Sequence, residues 1–475
     1  MLRRMLETQS LLPRVPLMPV ANVAAVMMAQ STGLMGGGTA AGPWSRFQLP
    51  LPSHVKAGRI LSFWEDTNHY SAKRFRNHYR LSRAQFRAVF ELLKPELVKR
   101  CGKSEAKGGG AKGHDTPPVS PEVQMACGIR FMAGAAYQDL AKSFYISDAM
   151  VYVCFWNFVE AVNATRDFDM SLMPALEAHA EGDSKLLDAI CAGFTIKSGG
   201  LINGCIGAPD GCHLEIRKPP LLKSQESVVA AIVAATERRK ITKVRPGGRM
   251  PGQGVVNPRF YFNYKGFMSV NLQAVADAQR RFIYGSVTSP GSEGDQKAWA
   301  CTSLGDWLES NPLPPGYYFL ADEAYKADEH CVTPYPGQDL PPDKDNFNHL
   351  QCTVRSSAIE CAFGRLVGIF GIFWRPWRGT TGKFGKVVLA AMKMSNVLID
   401  YPDDEFEDAA FADLEDSEQQ RRTPQGWRRS DGRDRPPSGQ RRRRDHAERD
   451  HSAIRDALKE EARKASYFRP GSSRA

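Results

Sequence analysis

Three carboxylates pose the chemical question of this 475-residue chain: Asp210 in GAPDGCHLEIRKPP, Asp322 at the end of GYYFLAD, and Glu360 in the helix-like AIECAFG. Each has an ordinary reading by itself. Asp210 precedes a glycine, and Asp-Gly is a common turn pair. Together they form a three-acid set spread along a segment that alternates strands and helices. Clustered carboxylates repel one another strongly at low dielectric, so such a set usually exists to bind divalent cations. Oxygen-only ligands select hard ions, Mg²⁺ or Mn²⁺, which keep waters and contact phosphate. The other metal-ligand types are less organised. The ten cysteines are scattered without a C-x-x-C pair, and Cys205, Cys212 and His213 are the nearest approach to a cluster. They read as thiols kept in a reducing compartment rather than as a metal site.

The elements that must position the acids follow from periodicity. FMSVNLQAVADAQRRFIYGSVTSPG alternates Val270, Leu272, Ala274 and Ala276, turns at Asp277–Arg280 and resumes at Phe282, the pattern of a hairpin. DQKAWACTSLGDWLES is helical, and GYYFLADEAY is an apolar strand ending at Asp322. A helix from about Val354 through Phe370 carries Glu360, and another lies near KVVLAAMKMSNVLI. Strand, hairpin, helix, strand, helix is an α/β order.

Ahead of this region, YRLSRAQFRAVFELLKPELVKR places Leu81, Phe86, Val89, Phe90 and Leu93 at helical spacing behind an N-cap at Ser82. Three more helices are expected: Pro121 to Met132, Tyr137 to Phe144, and one that starts after the N-cap Ser147 and buries Met150, Val151, Phe155, Phe158 and Val162. Two short helices, a tight turn and a capped third make a helix-turn-helix pattern, with an ordinary helical bundle as the equal alternative. Ser147 and Tyr152 are the candidate DNA contacts of that third helix, although Asp148, Met150, Tyr152 and Phe155 offer few donors for base edges.

The expected organisation is a disordered leader over 1–58 and a helix-turn-helix-like domain over 59–165. A connecting helical segment over 166–200 leads to an α/β domain over 201–402, followed by a disordered tail over 403–475. The leader is apolar but interrupted by Pro13, Pro16 and Pro19, so it reads as neither a membrane span nor a tidy signal peptide; an organelle transit peptide is the alternative. The tail is acidic and then strongly basic, a composition that buries too little apolar surface to fold, and its RRRR run suits nuclear import or a nucleic-acid tether. With 63 Lys and Arg against 52 Asp and Glu, the net charge of +11 favours a polyanionic partner.

In series, these motifs carry a resemblance. From about 205 to 400 the chain resembles the nuclease domain of the PIF/Harbinger transposases and their domesticated relatives. PDGCH stands where that family has IDGTH, and YKGFMSVNLQAVADAQRRF where it has RKGFHSINVQAVCDADGRF. PGSEGDQKAW stands for PGSVHDSRVW, ADEAYK…TPY for GDSGYP…TPY, and IECAFG for VERAFG. The helical region is similar to the family as well.

The resemblance implies an RNase H-like fold in which Asp210, Asp322 and Glu360 hold two Mg²⁺ or Mn²⁺ ions for phosphodiester cleavage and strand transfer, with Asp295 as a supporting fourth acid. His213 is a candidate for orienting substrate, although a satisfied structural histidine is the plainer reading. Lys265 and Arg217 are candidate phosphate contacts, with exposed surface charge as the equal alternative. DNA is the implied substrate, a Myb-like DNA-binding protein an implied partner and a homo-oligomer an open option; a membrane role is not expected. The departures lie around the acids: Cys212, Glu323–Ala324 and Cys361 replace Thr, Ser-Gly and Arg, and LVGIFGIF lacks the cations of the family's LKGRF segment. Fewer cations beside a metal–phosphate site weaken DNA retention. A metal-dependent endonuclease is therefore the first expectation, and a non-cutting DNA- or chromatin-binding protein the alternative.

Overall fold

Side-chain caps start the helices where local sequence supplies them. The computed structural model describes residues 63–105, 119–219, 258–401 and 453–470, all within one compact unit, His54–Ala475. The expected leader and the RRRR run at 441–444 lie outside the described residues. Two short helices, α1 (Phe63–Thr67) and α2 (Ala72–Tyr79), precede α3 (Arg83–Glu105). Ser82 Oγ accepts from the Gln85 N–H at 3.1 Å while Gln85 Oε1 accepts from the Ser82 N–H at 2.9 Å, a reciprocal capping box that begins α3. Helices α4 (Pro121–Met132), α5 (Tyr137–Phe144) and α6 (Asp148–Ala164) lie where expected, with Ser120 and Ser147 capping α4 and α6. Gly128 lets α4 and α6 touch, since a Cβ there would sit 2.4 Å from the Phe158 side chain. Helices α7 (Leu172–Ala180) and α8 (Lys185–Lys197) lead into the sheet.

Five strands form one mixed sheet in the order β3-β2-β1-β4-β5. They are β1 (Cys205–Glu215), β2 (Ser269–Ala276), β3 (Phe282–Pro290), β4 (Tyr318–Leu320) and β5 (Cys331–Val332). The first three run antiparallel, and β1–β4 and β4–β5 pair in parallel. Helices α9 (Asp295–Ala300) and α10 (Ser303–Ser310) fall between β3 and β4. The longest helix, α11 (Pro342–Ile369), packs on β1 and β2, and α12 (Thr381–Asp400) packs on β3 and α6.

Several expectations change here. Asp210 is no turn residue: it sits in the interior of β1, paired with Ala274. Pro209 beside it is tolerated because the β4 ladder stops at Gly207, leaving that side of β1 without the ladder that a missing N–H would break. Every residue of β2 is buried, so its alternation does not divide core from solvent. β4 ends at Leu320, two residues before Asp322. The Glu360 helix begins at Pro342, where proline at the first helical position suits the start.

The tail also departs from expectation, because α13 (Ala453–Lys464) is a folded helix. Leu458 and Ala462 are buried, Tyr335 Oη donates to Asp456, and Lys459 meets Asp343 at 3.2 Å. The overall charge of the tail hides a local stripe of Ile454, Leu458 and Ala462 that finds its partner on α11.

Candidate active site

Strand register brings the two aspartates together. In the parallel ladder Gly207 of β1 pairs with Phe319 of β4. Three residues further along each chain, past the end of that ladder, come Asp210 and Asp322, close enough for the Asp322 charge to raise Asp210. Asp210 Oδ1 accepts the Gly211 N–H at 2.8 Å, and Asp322 Oδ1 accepts the Ala324 N–H at 2.9 Å, so short backbone bonds aim both carboxylates.

Glu360 reaches the same place from α11 by way of an arginine. Arg355 Nη1 lies 3.5 Å from Asp210 Oδ2, and Arg355 Nη2 lies 2.9 Å from Glu360 Oε1. Two contacts with one guanidinium place those carboxylates within about 9 Å of each other. Ser356, one turn before Glu360, donates its hydroxyl to the same Oε1 at 2.9 Å.

The electrostatics tie the group together. Burial pushes Asp210 up to about 6; the charges of Asp322 and Glu360 push the same way, while Arg355 and the Gly211 N–H pull down. Asp322 is raised, again by burial first and also by Asp295 and Glu323, against the Ala324 N–H and Arg355. For Arg355 burial acts to lower the pKa, but Asp210, Glu360 and Asp322 outweigh it and raise it. Among the described residues no three His, Cys, Asp or Glu side chains are gathered closely enough, as they stand, to hold a metal ion.

Asp295, expected as a supporting fourth acid, is held by side chains of β2. Its Oδ1 accepts from Asn271 Nδ2 at 3.0 Å and Gln273 Nε2 at 3.1 Å, and a Cβ on Gly211 would lie 1.9 Å from it. Successive strand residues face opposite ways, so Asp295 lies against the face of β1 that Asp210 turns away from. Tyr325 Oη donates to Gln273 Oε1 at 2.7 Å and completes a polar row behind the strand.

The remaining candidates divide. His213 Nδ1 is 3.2 Å from Ser269 Oγ, and burial lowers its pKa. Cys205 and Cys212 stand on one strand about 23 Å apart, so with His213 they make no cluster. Lys265 is exposed beside Tyr264, and the Arg217 N–H donates to Trp377 O with its side chain exposed. Ser147 caps α6, accepting from the Met150 N–H at 3.2 Å. Tyr152 is exposed on α6, its ring against Phe131 and Tyr137. None of these last four touches the acid cluster.

Sequence reading missed Arg355, Ser356, Asn271, Gln273 and Tyr325. Ser269, Asn271 and Gln273 recur every second residue in β2, a polar period that could have marked its inner face. Arg355 had no comparable signal, since its importance lies in a carboxylate 145 positions away.

No curated protein and no solved structure matches the chain. Residues 249–396, which include Asp295, Asp322, Arg355 and Glu360 and exclude Asp210, match the family model described as DDE superfamily endonuclease.

Proposed function

We propose that the chain is a divalent-metal-dependent DNA endonuclease of Harbinger transposase type, with an RNase H-like catalytic domain and Asp210, Asp322 and Glu360 as its acids. The observation that carries the reading is that Asp210, Asp322 and Glu360 all act on one buried guanidinium, that of Arg355. The mixed five-stranded sheet and the family match over 249–396 support it.

The donors fit Mg²⁺ or Mn²⁺ in kind: carboxylate oxygens alone, two of them on half-buried side chains whose mutual repulsion a cation relieves. When bound, such ions supply charge for activating a nucleophile and stabilising the leaving oxygen of a phosphodiester. The chain supplies the rest. The Gly211 and Ala324 N–H groups orient the two aspartates, and Ser356 steers Glu360. The Asn271–Gln273–Asp295 network stiffens β1 from behind.

In this reading α4 to α6 form a DNA-contacting module, with Ser147 and Tyr152 on its third helix and a Myb-like partner supplying base recognition. Lys265 and Arg217 hold phosphates, self-association is open, and the protein works in the nucleus. Within the described residues, no helix is long and apolar enough to cross a membrane.

Cleavage of plasmid DNA by the full chain in Mg²⁺ or Mn²⁺ tests the proposal. Asp210→Asn, Asp322→Asn and Glu360→Gln should each lower the rate by about a thousandfold or more. Undiminished cleavage by Asp322→Asn would remove the triad. The binding-protein reading is favoured by one observation, the ion pairs that engage Asp210 and Glu360 with Arg355. DNA binding that is unchanged in all three variants, with no cleavage by any of them or by wild type, would establish it.

A further inference from the structure

We infer that Arg355 is the resident cation of the acid cluster, facing the Asp210 and Glu360 carboxylates that would hold a divalent ion, and that its departure readies the site for metal. The inference rests on the metal reading above and adds a residue to it. One guanidinium faces both acids, at 3.5 Å from Asp210 Oδ2 and 2.9 Å from Glu360 Oε1. The Arg355 side chain is 9% exposed and that of Asp210 is 18% exposed. Carboxylates so placed need a counter-charge, and in this arrangement the protein provides its own.

Geometry makes the two cations competitors. The planar fork keeps its two partners separated by the width of the guanidinium, whereas a magnesium-sized ion draws oxygens to about 2.1 Å from a common centre. A metal held between these acids would also meet the positive charge of Arg355 at contact distance. Since one side chain engages both carboxylates, a single rotation of Arg355 frees both together. Glu360 is free to follow, because its side chain is 50% exposed.

Mn²⁺ titration of the full chain by calorimetry tests this, with wild type beside Arg355→Gln, Arg355→Lys and Asp210→Asn. Arg355→Gln should bind Mn²⁺ about tenfold more tightly than wild type, an ordinary coupling between two ligands of one site. Arg355→Lys, a point charge able to face only one acid, should tighten binding by less, and it carries the test if the glutamine variant does not fold. Asp210→Asn should lose the binding in every background. A packing role for Arg355 has the opposite sign and would weaken binding in both variants. Equal or weaker binding by the Arg355 variants, with Asp210-dependent binding intact in wild type, overturns the inference and leaves the metal reading standing. No Asp210-dependent binding in wild type or either Arg355 variant overturns both. A melting measurement adds an independent sign: without metal Arg355→Gln should melt below wild type, and Mn²⁺ should restore it, whereas a loss that Mn²⁺ does not reverse counts against the inference.

Discussion

Gly211 shows how finely single residues are fitted around the acids. Its hydrogen occupies space that a methyl group would contest with Asp295 Oδ1 at 1.9 Å, and that oxygen holds Asn271 and Gln273. Gly211→Ala should therefore cost about 1–3 kcal/mol in urea unfolding, the usual price of overpacking. The cost should shrink when Asp295→Ala removes the nearest clash and leaves only Gln273 Nε2, at 2.7 Å, making a double-mutant cycle non-additive. Additive costs would mean that the methyl group is accommodated elsewhere. Asp277 is a second residue-scale case. Burial pushes its carboxyl up to about 6, against the Arg281 N–H, the Arg281 charge and the Gln279 N–H. A raised acid stabilises the fold most below its unfolded value of 3.8, and that contribution is lost as pH rises through about 6. Asp277→Asn keeps an oxygen for both N–H groups, so it should be more stable than wild type at pH 8, by on the order of 3 kcal/mol. The advantage should vanish below about pH 4 in the same denaturation series. A pH-independent difference would assign the effect to packing.

At the scale of elements, α11 has two jobs. Its middle carries Arg355 and Glu360 to β1, and its first half receives α13. The docking is specific: His349 Nδ1 and Tyr467 Oη are 2.9 Å apart, and the Arg469 N–H donates to Asn346 Oδ1 at 2.8 Å. Leu458→Asp places a charge at a site that is 7% exposed, so α13 should undock while the sheet stays folded. Hydrogen exchange should show amides of 453–464 losing protection, with those of β2 unchanged. Retained protection in the tail would show that the polar contacts hold α13 without Leu458.

The whole molecule is joined through α12. Lys393, 9% exposed, donates to Asp169 Oδ1 at 2.8 Å and to Asn163 O at 3.1 Å, and Lys386 meets Glu160 at 2.6 Å. Asn163 Nδ2 returns a bond to Lys386 O at 2.9 Å. The helical region and the sheet should therefore unfold together, and Lys393→Ala should lower both by about 2 kcal/mol. Exchange-detected unfolding of peptides from 121–164 and 269–290 reads this directly: coincident midpoints that shift together are expected. Separate midpoints would restore the boundary near 166–200 as a break between independent units.

Local chemistry alone determined much of this protein. Ser82, Ser120 and Ser147 start their helices because a hydroxyl three residues from an open N–H needs no distant partner. The hairpin of β2 and β3 follows from residues near one another in the chain, and so do the candidate acids as residue types. Tertiary structure decided the rest. Whether Asp210 neighbours Asp322 depends on a ladder between segments more than a hundred residues apart, and which side of β1 Asp295 takes depends on the pleat. The partner of Arg355 and the folding of α13 depend on surfaces that exist only after α11 has packed. Propensity acts over a turn or two, whereas charge pairing and burial act across whatever the fold brings near.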